Sequence, residues 1–148
     1  VPVSYIVYVS QAEKDLPKSA PEDILAESRP YNSAHDITGI LLFVEGAGGR
    51  RGSFMQLLEG DADEIERLRK RIFADGRHHT KVVLESGEKP QRDFADWSMA
   101  YKAVDPAALR AHPQFSDLGD PDFIRKAQQS GAPGALSFLC DFWEMAGE

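Results

Sequence analysis

The chain has 148 residues, too few for two full domains but enough for one with a sizeable core and a short extension. Its formal net charge of −7 excludes a sequence-independent grip on nucleic acid or on an anionic membrane, since both select basic surfaces. The single cysteine, Cys140, excludes an intrachain disulfide and a thiolate metal cluster; with no apolar run near the roughly 18–20 residues of a membrane span and no signal-peptide pattern, the expectation is a cytoplasmic protein.

The first strand is expected over 3–10, where Val, Ile and Tyr dominate. Val3, Tyr5, Val7 and Val9 form one face and Ser4, Ile6, Tyr8 and Ser10 the other, the pattern of a strand covered on both sides. Residues 11–18 read as polar loop. Ser19 with Glu22 has capping-box spacing and Pro21 suits a first helical turn, so a helix starts here and buries Ile24, Leu25 and Ser28. Pro30 donates no hydrogen bond and its ring clashes with the carbonyl four residues back, so this helix is expected to end or kink before Tyr31-Asn32.

A second, buried strand is expected over 36–44, followed by a glycine-rich hairpin loop at 45–52. Those glycines lie between strands with no helix N-terminus after them, which argues against a phosphate cradle. The third strand, 54–60, sets Phe54, Gln56 and Leu58 on one face and Met55 and Leu57 on the other, so neither face looks solvated. An amide at Gln56 therefore needs a partner, because an unmet buried polar group costs about 1–3 kcal/mol. From this strand alone Gln56 reads either as a core residue satisfied by backbone or hydroxyl, or as an amide serving a site.

Asp61 and Glu64 are placed to cap a second helix with Ile65, Leu68, Ile72 and Phe73 inward; Arg67, Arg69, Lys70 and Arg71 make its outer side basic, as a solvated helix face often is. Strands at 81–85 and 97–104, separated by a turn at 87–90, complete the order βαββαββ, an α+β ferredoxin-like split unit with an added strand. Both helices of such a unit lie on one sheet face, so Tyr5, Val7 and Val9 need a second cover. The tail offers one: helical segments at 106–110 and 122–129, a loop at 115–121, and a stronger helix at 133–145 with Leu136, Leu139 and Trp143 along one side and Phe138 and Phe142 adjacent. Packing under the sheet and contact in an oligomer both remain open for it. His78 and His79 point apart on an extended segment, so no metal site is expected.

Five motifs in order carry a family resemblance: Tyr8; Asn32 followed by Asp36-Ile37-Thr38-Gly39-Ile40-Leu41; Phe54-Met55-Gln56-Leu57-Leu58-Glu59-Gly60; Asp75-Gly76-Arg77-His78-His79; and Phe94-Ala95-Asp96-Trp97-Ser98-Met99. Over 5–101 the chain resembles the BLUF family, blue-light sensors that use flavin, and its tail resembles that of the short stand-alone members. The resemblance implies a sensor domain at 1–104 with a helical extension at 105–148, and a flavin, FAD or FMN, held between the two helices over the sheet. It further implies that Ile24 and Ile72 sandwich the ring, that Asn32 bonds its O4/N3 edge, that Asp75, Arg77 and His78 form a polar cluster toward O2, and that Arg71 reaches the ribityl phosphates.

Tyr8 and Gln56 would then form the photochemical switch: light moves an electron and a proton from the tyrosine to the flavin and back, and the glutamine amide rotates or tautomerises to bond C4=O more strongly, shifting absorption to the red. Trp97 and Met99 match the family's switching pair, and on a continuous strand their spacing puts both on one face, where they also read as core filling. No catalytic residue, substrate base or nicotinamide site is evident, and no cyclase or phosphodiesterase domain fits this length, so the expected output is through a homo-oligomer or a separate effector. The alternative is an interaction module of the same shape that is insensitive to light or responds to redox or temperature. Two departures stand out: Tyr31-Asn32 replaces the two successive asparagines of many members, and the 45–52 loop is longer than usual.

Overall fold

The polypeptide runs β1 (Val3–Ala12), α1 (Ala20–Ala34), β2 (Thr38–Val44), β3 (Ser53–Gly60), α2 (Ala62–Phe73), β4 (His78–Lys89), β5 (Ala100–Val104), α3 (Pro121–Ser130) and α4 (Ala135–Ala146). The structure, a computed structural model, describes residues 2–12, 20–44, 52–74, 78–104, 121–130 and 134–146. The strands form one sheet in the order β4-β1-β3-β2-β5. Neighbours are antiparallel except β2 and β5, which run parallel. This is the ferredoxin-like α+β arrangement expected, with the fifth strand added beside β2.

The period-two reading of β1 and β3 separates two cores. On the side of α1 and α2, Ile6, Tyr8, Phe54, Leu58 and Leu41 pack with Leu25, Ile65, Leu68 and Met99. On the other, Val7, Val9, Met55, Leu57, Ile40 and Leu42 pack with Phe123 and Ala127 of α3 and with Ala135, Phe138 and Leu139 of α4. Because each fully buried aliphatic side chain contributes about 1.5–3 kcal/mol, the second layer accounts for why the strands carry apolar residues on both faces. Gly39 marks a close approach within the sheet, since a Cβ there would lie 2.0 Å from the Leu57 carbonyl oxygen.

Several boundaries differ from the sequence reading. Helix α1 continues through Pro30 and Tyr31-Asn32 to Ala34. Pro30 and Ala26 are both exposed, so water can satisfy the carbonyl that Pro30 leaves without a donor. The helix stops instead at a Schellman turn: Asp36 adopts φ 54°, its amide donates to Ser33 at 3.5 Å, and the Ile37 amide reaches the Asn32 carbonyl at 2.8 Å. The side chain of Asp61 makes no capping hydrogen bond to α2.

Strand β1 continues to Ala12, beyond the expected start of a loop. Strand β4 is longer than expected and carries Gly87 opposite Tyr5, where a turn was expected; β1 supplies a partner along its whole length, with register shifts at Val7/Tyr8 and Val9/Gln11. Strand β5 begins only at Ala100, so Trp97 is not part of it. The expectations for Ser19 as a cap, for most of the 45–52 loop, for 106–110 and for 115–120 lie outside the described residues.

Candidate functional site

Tyr8 on β1 and Gln56 on β3 are direct cross-strand partners. Both point to the α1/α2 side and are buried. The Tyr8 hydroxyl donates to Gln56 Oε1. The other end of the amide, Nε2, donates to Met99 Sδ at 3.5 Å. The amide is therefore bracketed by an oxygen donor on one side and a soft, weak acceptor on the other. A second N–H remains on Nε2 for a further acceptor.

Above this pair, a cleft of about 560 Å³, mouth included, opens between the two helices. Ile24, Ser28 and Tyr31 of α1 face Leu68, Arg71 and Ile72 of α2 across it, and Tyr8, Leu41, Phe54 and Gln56 form its floor. Two β-branched residues thus oppose each other over an apolar floor that holds one phenol and one amide, a shape suited to a flat heteroaromatic ring. Asn32, the residue after Tyr31 on α1, is fully buried, with Nδ2 donating to the Ser98 carbonyl at 2.7 Å. Its Oδ1 is buried without a partner among the described residues. An orphaned buried acceptor is costly, so it marks a position where a donor is expected, as the N3–H of a flavin ring would supply. The residues present fit a flavin. They would hold it by the two isoleucines, the Asn32 amide and the Arg71 guanidinium.

Of the predicted site residues, Tyr8, Ile24, Gln56, Arg71 and Ile72 line one cleft, and Asn32, next to Tyr31 of the lining in sequence, is not among its lining residues. Asp75 and Arg77 lie outside the described residues, as does the side chain of His78. Trp97 and Met99 are separated: Met99 is 1% exposed against Gln56, while Trp97 is 46% exposed. The spacing argument that put them on one face required a continuous strand, and the backbone turns at this point, with the Trp97 amide donating to the Phe94 carbonyl at 2.9 Å.

The segment carrying this pair is pinned along its length. The Trp97 carbonyl accepts from the Gly39 amide at 3.2 Å, Ser98 from Asn32 as above, and the Met99 carbonyl from Arg29 Nε at 3.1 Å. Its start is held by a residue that sequence reasoning did not single out, Glu59, fully buried on β3 three positions after Gln56. Glu59 Oε1 accepts from Lys89 Nζ at 2.6 Å and the Asp93 amide at 2.9 Å; Oε2 accepts from the Thr38 hydroxyl and the Phe94 amide, each at 2.8 Å. Burial alone would raise this carboxyl, but the Lys89 ammonium, the Asp93 amide, the Thr38 hydroxyl and the Phe94 amide together hold it below the ordinary carboxylate value. The only sequence signal was a carboxylate in a mostly apolar strand, followed 30 residues later by a lysine.

Comparison with known proteins bears on this geometry. A family model described as BLUF, sensors of blue light using FAD, matches residues 3–100. The chain is 33% identical over 95 residues to the blue light- and temperature-regulated antirepressor BluF of Escherichia coli K12, covering 64% of this chain and 22% of that protein. It is 30% identical over 95 residues to the photoactivated adenylate cyclase subunit beta of Euglena longa, covering 64% of this chain and 10% of that one. The chain thus matches about a fifth or less of the length of these relatives. Among solved structures, the dark state of the BLUF protein BlrB superposes with TM-score 0.73 and 27% identity over 98% of this chain and 97% of that one. The ground state of BlsA superposes with TM-score 0.70 and 25% identity, over 95% and 87% respectively. With the family model covering well over half of its length, the chain belongs to the BLUF family of flavin-based blue-light sensors.

Proposed function

We propose that this chain is a blue-light photoreceptor whose switch is the hydrogen-bonded series Tyr8, Gln56 and Met99, read out through protein contacts rather than catalysis. The observation that carries the proposal is the Tyr8 hydroxyl bond to Gln56 Oε1 on the floor of a cleft walled by Ile24 and Ile72. A flavin bound there, which we take to be FAD, supplies absorption of blue light and an excited state able to oxidise a phenol.

The chain's own residues do the rest. Tyr8 is the phenol on the cleft floor, and its proton already points along a hydrogen bond to Gln56 Oε1. Loss of an electron to the excited flavin would make that proton strongly acidic, so it would pass to Gln56 Oε1 while an Nε2 proton moves on toward the ring that took the electron, and the phenol oxygen would no longer donate to the amide. The Gln56 side chain can then reorient, because its two ends are nearly alike in shape but opposite in hydrogen-bond sense. When electron and proton return to Tyr8, the phenol oxygen can accept from Nε2 instead of donating to Oε1. That exchange also removes the Nε2 donor from Met99 Sδ, and the thioether is left facing an oxygen that offers it no proton. Net chemistry is zero, and the change lies in the hydrogen bonds offered to the flavin and to Met99.

Met99 is the link outward, since its segment is tied to α1, β2 and β3 by the bonds of Arg29, Asn32, Gly39 and Glu59. We further propose that the output is a change in contacts with a second copy or a separate effector in the cytoplasm. Light-minus-dark infrared difference spectra of the FAD-reconstituted protein test this reading. A downshift of the flavin C4=O stretch in the wild type, absent in Gln56→Leu, is expected; a downshift of equal size in both would overturn the role of Gln56.

A further inference from the structure

Within the cleft lining, Tyr31 is half-buried and Arg71 exposed, whereas Tyr8, Leu41, Phe54, Gln56 and Leu68 are buried, so the first two mark its mouth. They are in contact. The Arg71 guanidinium carbon lies 4.6 Å from the Tyr31 ring centroid, inside the roughly 6 Å over which a cation is attracted to an aromatic face. The same ring stacks on the His35 imidazole, centroids 4.1 Å apart and planes inclined by 24°. His35 Nδ1 in turn lies 2.7 Å from Glu64 Oε2, and Glu64 Oε1 accepts from Arg67 Nη1 at 2.6 Å. Tyr31 lies in the last turn of α1 and His35 just past its end, and Arg71 and Glu64 are two turns apart on α2, so this chain of contacts joins the two helical segments at two levels.

An arginine on an exposed helix face is ordinarily spread over many rotamers, and freezing them on binding counts against affinity. Here the aromatic ring has already selected an arrangement. We infer that Tyr31 is a positioning residue for cofactor binding: its ring, itself stacked on His35, holds the Arg71 guanidinium at the mouth of the cleft, where the cation meets an oxygen acceptor of the bound flavin. The inference rests on the proposed flavin cleft.

The experiment is a fluorescence titration of the flavin-free full chain with FAD and with riboflavin, for the wild type, Tyr31→Phe, Tyr31→Leu, Arg71→Gln and the double variant. Tyr31→Phe, which keeps the ring, should bind as the wild type does. Tyr31→Leu should weaken binding about three- to tenfold, the range of a partly exposed cation–π contact. The double variant should bind no more weakly than Arg71→Gln alone, and the flavin-free melting temperature should be nearly the same in Tyr31→Phe and Tyr31→Leu. If Tyr31→Leu does not fold, Tyr31→Gln carries the same expectations.

Wild-type affinity in Tyr31→Leu, or losses that multiply in the double variant, would overturn the inference. Within a positive result, a greater loss for FAD than for riboflavin assigns the acceptor to a phosphate, and equal losses assign it to the ring or ribityl chain. A wild type that binds no flavin removes the functional reading itself. A wild type that binds flavin and responds to light, beside an unaltered Tyr31→Leu, removes only the role of Tyr31.

Discussion

The Tyr8 hydroxyl and the Gln56 amide, 48 positions apart in the chain, face each other across the β1/β3 ladder and share a buried hydrogen bond. The bond lets the phenol oxygen and the amide oxygen be buried together. Replacing Gln56 by Leu removes the acceptor of this buried bond and should cost about 1–3 kcal/mol of stability in the flavin-free protein. Tyr8→Phe removes the donor in the same way. The double variant removes both groups and should be destabilised by less than the sum of the singles, a coupling of about 1 kcal/mol measurable by urea denaturation. Additive losses would show that the bond does not contribute in solution.

Met99 and Trp97 differ in burial, and their substitution should separate stability from photochemistry. Met99→Ala opens a cavity beside Gln56 and is expected to cost about 2–5 kcal/mol. Trp97→Ala, half-exposed, should cost about 1 kcal/mol or less. In the lit protein, Trp97→Ala should keep the red shift and alter dark recovery or output. Met99→Leu, which removes the sulfur acceptor for Gln56 Nε2, should change the recovery rate about two- to fivefold, the effect of one weak hydrogen bond. Flash photolysis with absorbance recovery measures both.

Glu59 ties acid stability to the switch segment. Its folded pKa is depressed, so its contribution is fully present above the unfolded carboxylate value and is lost as pH falls through the folded one. Stability should accordingly fall on acidification below the ordinary carboxylate range, and Glu59→Gln should flatten that part of the profile. The same substitution removes one of the two carboxylates that hold Lys89, Asp93 keeping the other, and should cost about 1–3 kcal/mol at neutral pH, as the loss of a charged hydrogen-bond partner does. Thermal melts from pH 3 to 8, roughly the span of carboxylate titration, would show both effects.

Tyr5 acts at the opposite end of the pH scale. Its hydroxyl donates to Glu85 Oε2 at 2.7 Å; that bond, burial and the nearby carboxylate charge push its pKa up to about 12. A raised pKa means that the contribution is present below the unfolded value of 10.0 and is lost as pH rises toward 12. Glu85 Oε1 also accepts from the Leu136 amide at the start of α4, at 3.4 Å, so the same carboxylate helps to seat the tail helix on the sheet. Tyr5→Phe should remove the alkaline loss that distinguishes the wild type over this interval, as followed by near-ultraviolet circular dichroism.

What the sequence disclosed follows from the range of each interaction. Alternation along β1 and β3 was enough to put Tyr8 and Gln56 on the same side, because period two is a property of each strand alone. The apolar stripe of α2 gave Ile65, Leu68 and Ile72 for the same reason. Pro30 was misread because the cost of a proline within a helix depends on whether water reaches the carbonyl it strands, and that is a tertiary fact. The start of β5 was misread because Trp97-Ser98-Met99 alternates like a strand, while its backbone is bonded to Phe94, Gly39 and Asn32 instead of a ladder. Glu59 and the Tyr31–Arg71 contact were illegible since their partners lie 21–40 positions away and carry no periodic signature.

The central claim is that Tyr8 drives a reversible rearrangement around a bound flavin. Its most direct test is the visible absorption spectrum of the FAD-loaded wild type and of Tyr8→Phe, recorded in the dark, immediately after blue illumination, and again after dark recovery. The account predicts a red shift in the wild type that reverses fully in the dark, and a Tyr8→Phe protein that binds flavin but does not shift. A wild type that holds flavin without shifting, or a Tyr8→Phe protein that shifts as far as the wild type does, would contradict it.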